Sequence, residues 1–460
     1  MQAKATSEFK SFQVYLGSVF LVLAAFSALY SFERLYADSG YYFFQLINKQ
    51  AFHVEHGRLV LFLSQSLTWI GLQLHFPLKL LVLIYSLTSV LFHFSLTYIA
   101  YKYFKNYHAA IVLCLLQFVG IVEAHFTPQF ELFYGLSLLV FSYAYVKHFN
   151  SAFNWKHGLV VMLLLVFVFT SHPMAVLCFV VLYSSLLRDY KSYKKWLLYI
   201  TLSLGLYVII KKTFPSEYEK AKFDELLRLV SIGEYQKIFS FSYFFKWLKF
   251  MVANYLDVLI LLGLGIYVGL KEKKFLEVTV VLLSFLLIVF LNCINLNPEE
   301  INRYIEQMYA PAVFVVLVLF LYFKLNSWTY ILILLITAYR ILLTIDTVSM
   351  HEKRNMVMFD LLKKTEQVKQ QKFVVKDSLI EDHKEIANWS YGIESMVMSS
   401  AKLNSTKQLC LEQDFLFNDN NKKLKPNEFL FRKWEIWDNT DLNQNYYTLD
   451  TLGYSYFLNQ

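Results

Sequence analysis

The sequence predicts an all-α polytopic membrane protein of about 11 transmembrane helices, carrying a small α+β C-terminal domain outside the membrane. Composition is the first reason: of 460 residues 57% are hydrophobic and 17% charged, and the mean hydropathy is +0.42. Soluble globular chains average roughly 45–50% apolar and about 25% charged. The second reason is aromatic usage, 18% with 43 Phe and 33 Tyr, which suits lipid-facing helices with interfacial anchors. The third is that apolar runs of spanning length recur up to residue 345 and then stop. Low glycine and proline counts, 14 and 7, exclude collagen-like and low-complexity sequence.

A span needs about 20 apolar residues at 1.5 Å rise each. Runs that meet this lie at 12–31, 78–101, 108–126, 129–146, 196–211, 250–270, 275–294, 308–324 and 327–345. Two stretches are ambiguous. Residues 59–76 are short and carry Gln65, Gln73 and His75, while 158–187 is too long for one upright helix and is broken by Ser171-His172-Pro173. Positive charge decides between them. With 59–76 in the interface and 158–187 a hairpin of two short spans, Lys4, Lys10, Lys102, Lys105, Lys147, Lys156, Arg188, Lys191, Lys194, Lys195, Lys271, Lys273, Lys274 and Lys324 all face the cytoplasm. The reverse choice moves Lys102, Lys105, Lys147 and Lys156 outside, against the positive-inside rule.

The N-terminus is then cytoplasmic, in an inner (cytoplasmic) membrane, and residues 1–348 form the transmembrane domain. Outer loops at 32–77 and 212–249 share the extracytoplasmic face with a C-terminal domain at 349–460. The second loop is helical in pattern and of mixed charge; the tail contains alternating aromatic segments, Glu428–Trp437 and Tyr446–Phe457. The formal charge of +8 sits largely in short loops, so it reports topology and implies no nucleic-acid partner. Cys114, Cys178, Cys293 and Cys410 form no CxxC and read as packing residues. The first apolar run has spanning length and lacks a cleavage site.

An ionisable residue near membrane depth is costly and is therefore a candidate for function. Asp38, in Tyr36-Ala37-Asp38-Ser39-Gly40-Tyr41-Tyr42, could act as a general base if partly desolvated. Helix capping accounts for Asp38-Ser39-Gly40 before an aromatic run equally well, and N-cap Asp is common, so capping weighs more. Glu33, His56 and Arg58 belong to the same loop. His53, Glu55 and His56 have poor spacing for a metal, so no metal ligand is assigned. Glu123 and His125 close the third span, and a carboxylate there needs a basic partner or a proton. His172 breaks the long apolar segment, either lining a cavity or turning a tight hairpin. Arg303, followed by Tyr304, could grip a lipid-linked phosphate bidentately or pair with Glu299, Glu300 or Glu306. Arg340, deep in the last span, requires a partner. No P-loop, GxGxxG, HExxH or GxSxG motif occurs.

An inside N-terminus, an acidic residue in the first outer loop, many spans and an outer C-terminal domain resemble the GT-C superfamily of integral-membrane glycosyltransferases. Arg303-Tyr304 followed by Pro311 is similar to the Arg-Tyr…Pro stretch that many members carry near a late span. The resemblance covers the whole chain as architecture through short motifs. It departs in lacking a second acidic residue beside Asp38, where Ser39 stands, and in lacking the WWD-type signature, the tail offering only Trp434, Trp437 and Asp438 in WEIWD. It implies a polyprenyl-phosphate-sugar donor, a lipid, glycan or protein acceptor, Asp38 as acceptor base, Arg303 and Tyr304 at the donor phosphate, and Glu33, His56, Arg58, Glu123, His125 and His172 lining the cavity. No further cofactor is assigned, and a divalent metal is left open. Two other readings stand beside it: a non-enzymatic subunit of a membrane complex that docks partners through the outer domain, and a secondary transporter.

Overall fold

The computed structural model describes residues 2–187, 190–296, 302–323, 327–380, 389–419 and 424–457. Arg188, Glu299, Glu300 and Lys324, named above, lie outside the described residues. The first helices are α1 (Gln2–Leu29), α2 (Asp38–Lys49), α3 (Leu61–Gln73), α4 (Leu78–Lys102), α5 (Tyr107–Leu115), α6 (Glu131–Phe149) and α7 (Trp155–Ser171). They are followed by α8 (Pro173–Leu187), α9 (Tyr190–Thr213), α10 (Glu217–Ser231), α11 (Phe241–Lys271), α12 (Phe275–Asn295), α13 (Arg303–Tyr322) and α14 (Ser327–Lys364). Among the described residues six helices, α4, α9, α11, α12, α13 and α14, are long and apolar enough to cross a membrane, and α1, α7 and α8 contribute shorter apolar stretches. The protein is a mostly helical, membrane-associated chain with a small sheet region near its C-terminus.

Contacts between side chains give the helices their directions. Phe20 meets Phe94 with ring centroids 5.4 Å apart, and Ser86 Oγ donates to the Ser27 carbonyl at 2.7 Å, so α1 and α4 are antiparallel. Gly135 lies against Ser171, while Tyr145 Oη is 2.7 Å from His157 Nδ1, so α6 and α7 are antiparallel too. His172 is extended (φ −164, ψ 145) and reverses the chain. Accordingly α8 returns beside α6, with Ser142 Oγ 2.9 Å from Tyr183 Oη. The chain comes back once more in α9, whose Ser203 Oγ reaches the Met162 carbonyl at 3.4 Å. At one end of the bundle Asn106, Lys147 and Lys274 line a cavity of about 330 Å³ with Tyr143, Ser185 and Tyr322. The loops 32–58 and 214–240 and the C-terminal domain gather at the other.

The elements depart from the expected runs at 108–126 and at the end of the last span, whereas 59–76 stays short, as expected of an interfacial segment. The run 108–126 is not one helix: α5 has 9 residues, after which the chain unwinds to a 3-10 turn at Glu123–Phe126. Gly120 adopts φ +70 there, and a Cβ on it would lie 2.7 Å from Val313, so the backbone passes close to α13 where only glycine fits. The stretch 59–76 forms α3 of 13 residues, too short to cross a bilayer at 1.5 Å per residue, folded back on α4 with Gly71 against Leu81 and Ile84. Finally, α14 does not end at residue 345 but runs on to Lys364, 38 residues in all, so the boundary at 348/349 falls within a helix. The sequence there has no glycine or proline to stop it.

The C-terminal part contains a parallel sheet of β1 (Lys372–Val375) and β2 (Gln408–Leu411), in register Phe373↔Leu409 and Val374↔Cys410. Between those strands lies α15 (Tyr391–Lys402), and α16 (Glu412–Asp419) follows them. An antiparallel pair, β3 (Glu428–Arg432) and β4 (Glu435–Asp438), supplies aromatic residues, and the short β5 (Ser455–Tyr456) joins the other edge of β1. The four cysteines are free and buried.

Arg340 finds its partner on α11. Its Nε donates to Asp257 Oδ2 at 2.7 Å, Nη2 also bonds the Asp257 carboxylate, and both side chains are 2% exposed. The backbone of α11 kinks at Tyr255 (φ −131, ψ 28), and Arg340 Nη2 takes the Asn254 carbonyl at 2.7 Å. Removing one partner strands a buried charge, which costs about 3–5 kcal/mol. Asp257→Ala should therefore lower the unfolding midpoint in detergent steeply, and Asp257→Asn with Arg340→Gln should recover part of the loss. Equal midpoints for wild type and Asp257→Ala would refute the role of the pair.

Candidate functional site

The loop that carries Asp38 is held in an unusual backbone conformation. Ala37 is fully buried with φ 52 and ψ −115, a region that costs a non-glycine residue of order 1–3 kcal/mol. Its N–H donates to Glu394 Oε1 at 2.8 Å. Three residues on, Gly40 packs so tightly that a Cβ would lie 2.3 Å from the Leu35 carbonyl oxygen. Nine of the 12 residues of α2 are buried, because the helix lies between the bundle and the C-terminal domain. Phe44 stacks on Tyr447 at 4.8 Å, and Tyr85 Oη donates to the Ser39 carbonyl at 2.9 Å.

Asp38 is the first residue of α2, the preceding Ala37 occupies the N-cap position, and the Asp38 carboxylate faces Arg303. The pair is 3.5 Å apart, with Asp38 41% and Arg303 18% exposed. Arg303 opens α13, where Asn302 Oδ1 caps the helix by accepting from the N–H groups of Tyr304 and Ile305, each at 3.0 Å. The ring of Tyr36 has two guanidinium neighbours, Arg303 at 5.2 Å and Arg354 of α14 at 5.3 Å, distances at which a ring attracts a cation. Arg354 pairs with Glu394 at 2.6 Å, so Glu394 serves both the cation and the Ala37 N–H.

Glu123 is met by His351 of α14 at 3.0 Å, and His351 also stacks on Phe126 and meets Tyr36 edge-on. Glu306 does not pair with Arg303. It accepts from the N–H groups of Val122, Glu123 and Ala124 at 2.9, 3.0 and 2.7 Å, fixing the turn that presents Glu123.

A second cluster adjoins the first through Tyr42, which lies within electrostatic reach of both Asp38 and Glu131. Arg58 pairs with Glu131 at 3.0 Å and approaches Glu219 of α10 at 3.9 Å, while Lys211 holds Glu219 at 2.6 Å. His56 Nδ1 is 3.2 Å from Ser216 Oγ, and its ring stacks on Tyr218. Burial, aided by Arg58, pulls His56 below the usual imidazole range. Glu55 lies 3.2 Å from His53 Nε2 and 3.9 Å from His56 Nε2. Burial would raise its carboxyl, but hydrogen bonds from His53 and Tyr41 outweigh it and hold Glu55 down to about 2. His172 is within reach of the Arg58 and Lys211 charges.

Asp38, Arg303, Glu123, His56, Arg58 and His172 thus share one end of the bundle. Three of the named residues point elsewhere. Glu33 faces α14, where Asn355 donates to it at 3.2 Å, and burial raises its carboxyl. Tyr304 sits beside Tyr218 and Lys222 of α10, not at Asp38. His125 turns inward, its carbonyl taken by Arg34 at 2.5 Å. Tyr36, His351, Arg354 and Glu394 did not emerge from the sequence. The only hint was the charged stretch His351-Glu352-Lys353-Arg354, which reads as a solvated helix face.

Among the described residues no group of three or more His, Cys, Asp or Glu is placed to hold a metal ion. No family model matches the chain, and no curated protein or solved structure is significantly similar to it.

Two outcomes follow from these ion pairs. Arg354→Ala leaves Glu394 buried without its cation, so hydrogen exchange should rise at least tenfold across 36–42; unchanged protection would show that Glu394 does not hold the loop. The Glu55 pKa is depressed in the folded state, so its contribution is full above about pH 4.5 and fades as pH falls toward 2. The gap in unfolding midpoint between wild type and Glu55→Gln should accordingly be widest at neutral pH and narrow on acidification. A gap that widens toward acid would contradict the assignment.

Proposed function

We propose that the protein is a membrane glycosyltransferase that moves a sugar from a polyprenyl-phosphate carrier to an acceptor hydroxyl at the Asp38–Arg303 site. The observation that carries this reading is the meeting of a half-exposed carboxylate and a mostly buried guanidinium 3.5 Å apart, from positions 38 and 303. In the resting state each neutralises the other. A phosphodiester arriving at Arg303 competes for the guanidinium, which binds phosphate bidentately, and so frees the carboxylate to act as base. The acceptor oxygen then bonds to the anomeric carbon as its proton passes to Asp38. The bond from that carbon to the phosphate oxygen breaks, and its electron pair leaves on the polyprenyl phosphate beside Arg303. Glu394, Arg354 and Tyr36 position the loop and the cation and touch no reacting atom.

The finer topology belongs to this proposal. Eleven passes, with the lysine-rich end cytoplasmic and the C-terminal domain extracytoplasmic, agree with the antiparallel contacts and with the company of Asn106, Lys147 and Lys274 at one end. An outer-face site has no nucleotide sugar within reach, so a membrane-borne donor suits it. The docking-subunit reading draws on one feature: α10 has no buried residue and exposes Phe223 and Leu227.

Mass spectrometry of lipids copurifying in mild detergent tests the proposal. A polyprenyl phosphate should accompany wild type and Asp38→Asn but be lost from Arg303→Ala, and transfer by Asp38→Asn should fall about 10²–10⁴-fold. Bulk phospholipid alone in all three samples would reject the carrier site and favour the docking subunit.

A further inference from the structure

Behind the Asp38 loop the bundle holds a partly open space lined by apolar and polar residues, independent of the reading above. It measures about 50 Å³ and lies between α1, α4, the 117–127 segment and α6, lined by Arg34, Ser89, His93, Gln117, His125 and Tyr134 among others. Arg34 is 3% exposed. Its Nη1 donates to the His125 carbonyl at 2.5 Å, and Nη2 to Ser89 Oγ at 2.9 Å and the Ser86 carbonyl at 3.3 Å. Those partners are neutral. Among the described residues no Asp or Glu lines the cavity, and Arg34 takes part in no ion pair.

An isolated buried charge is among the most costly arrangements in a protein, which is why buried cations are paired. Arg340 and Arg354 of the same bundle obey the rule, with Asp257 and Glu394. Arg34 meets it only in part, since neutral dipoles leave its net charge in place. The surroundings add to the positive potential, because the charges acting on His125 are those of Arg34 and Arg340.

Four buried polar atoms of lining residues make no hydrogen bond to the protein: Arg34 Nε, His93 Nδ1, His125 Nε2 and Tyr134 Oη. The guanidinium nitrogen is an obligate donor, and a neutral imidazole nitrogen becomes a donor in one tautomer. Donors around a positive centre, in a space with no carboxylate, are what an anion requires. The volume bears on the size of the occupant. A water needs about 10–15 Å³ measured in this way, so the space has room for a halide or one small oxyanion.

The geometry points to a binding site for a small monovalent anion of halide size in the cavity behind the Asp38 loop, held by the Arg34 guanidinium. The anion supplies the counter-charge that the chain itself lacks. Because Arg34 pins the His125 carbonyl, occupancy also fastens the turn that carries Glu123.

The test uses the full chain in mild detergent, with halide as the probe. Unfolding midpoints are compared in sodium chloride, sodium bromide and sodium gluconate at matched ionic strength, and crystals grown in bromide are examined for anomalous scattering. Chloride and bromide should raise the midpoint saturably over gluconate, and a bromide peak should lie in the cavity next to Arg34. Arg34→Gln should abolish both the halide-specific shift and the peak. Should that variant not fold, the wild-type bromide peak decides alone. A cavity without bromide overturns the proposal even if the midpoint responds to halide elsewhere, as does a peak that persists in Arg34→Gln.

Discussion

A charge removed from water must be met by an opposite charge or by several hydrogen-bonding groups, and at one end of this bundle that demand joins segments far apart in sequence. Glu394 illustrates it. Its two oxygens serve the Arg354 guanidinium and the Ala37 N–H, so one carboxylate ties the last long helix and the C-terminal domain to the first loop. Glu306 does the same between α13 and the 122–124 turn by accepting three backbone N–H groups. Carboxylates that accept several N–H bonds are held firmly in place. The loop bearing Asp38 therefore has little freedom, although its own backbone at Ala37 is unfavourable. The surrounding ion pairs over-determine it.

The same demand separates the exposed pair from the buried ones. Asp257–Arg340 and Glu394–Arg354 lie almost out of reach of solvent, and opening either would strand a charge. Asp38–Arg303 is longer and partly open, so water or a ligand can take over either member at modest cost. Rigid pairs thus frame a labile one. That is the division of labour expected where a scaffold must stay fixed while one carboxylate and one guanidinium exchange partners.

Hydropathy foretold the features that depend on composition over many residues. The helix at 78–102, the reversal at His172 and the aromatic strands around 428–438 follow from runs and breakers that any reading of the chain detects. It failed where a single local contact overrode the pattern. The run 108–126 is apolar from Ala109 to Val122 except for Gln117, yet Gly120 and the carboxylate of Glu306 turn it out of a helix. The end of α14 is polar, yet it stays helical because the C-terminal domain covers Met358, Leu361 and Leu362. Asp38 and Arg303 could be singled out because a lone carboxylate or guanidinium near membrane depth is conspicuous. The residues that frame them could not: His351 and Arg354 sit among other charged residues, Glu394 stands in a tail segment far from any span, and only the fold reveals that all three are buried.

The unbroken course of α14 makes it a lever. Arg340 is clamped to Asp257 at a fixed point along it, and fourteen residues farther on stands Arg354, about 21 Å away at 1.5 Å per residue. Because a continuous helix transmits rotation with little bending, a tilt of about 5° around that fulcrum would sweep the Arg354 end through about 2 Å by the same geometry. Such a displacement is enough to unseat the contacts that Arg354 and His351 make around Tyr36. Bilayer thickness or lateral pressure, acting on the buried length of the rod, would in this way reach the Asp38 loop mechanically, without any ligand passing between the two ends.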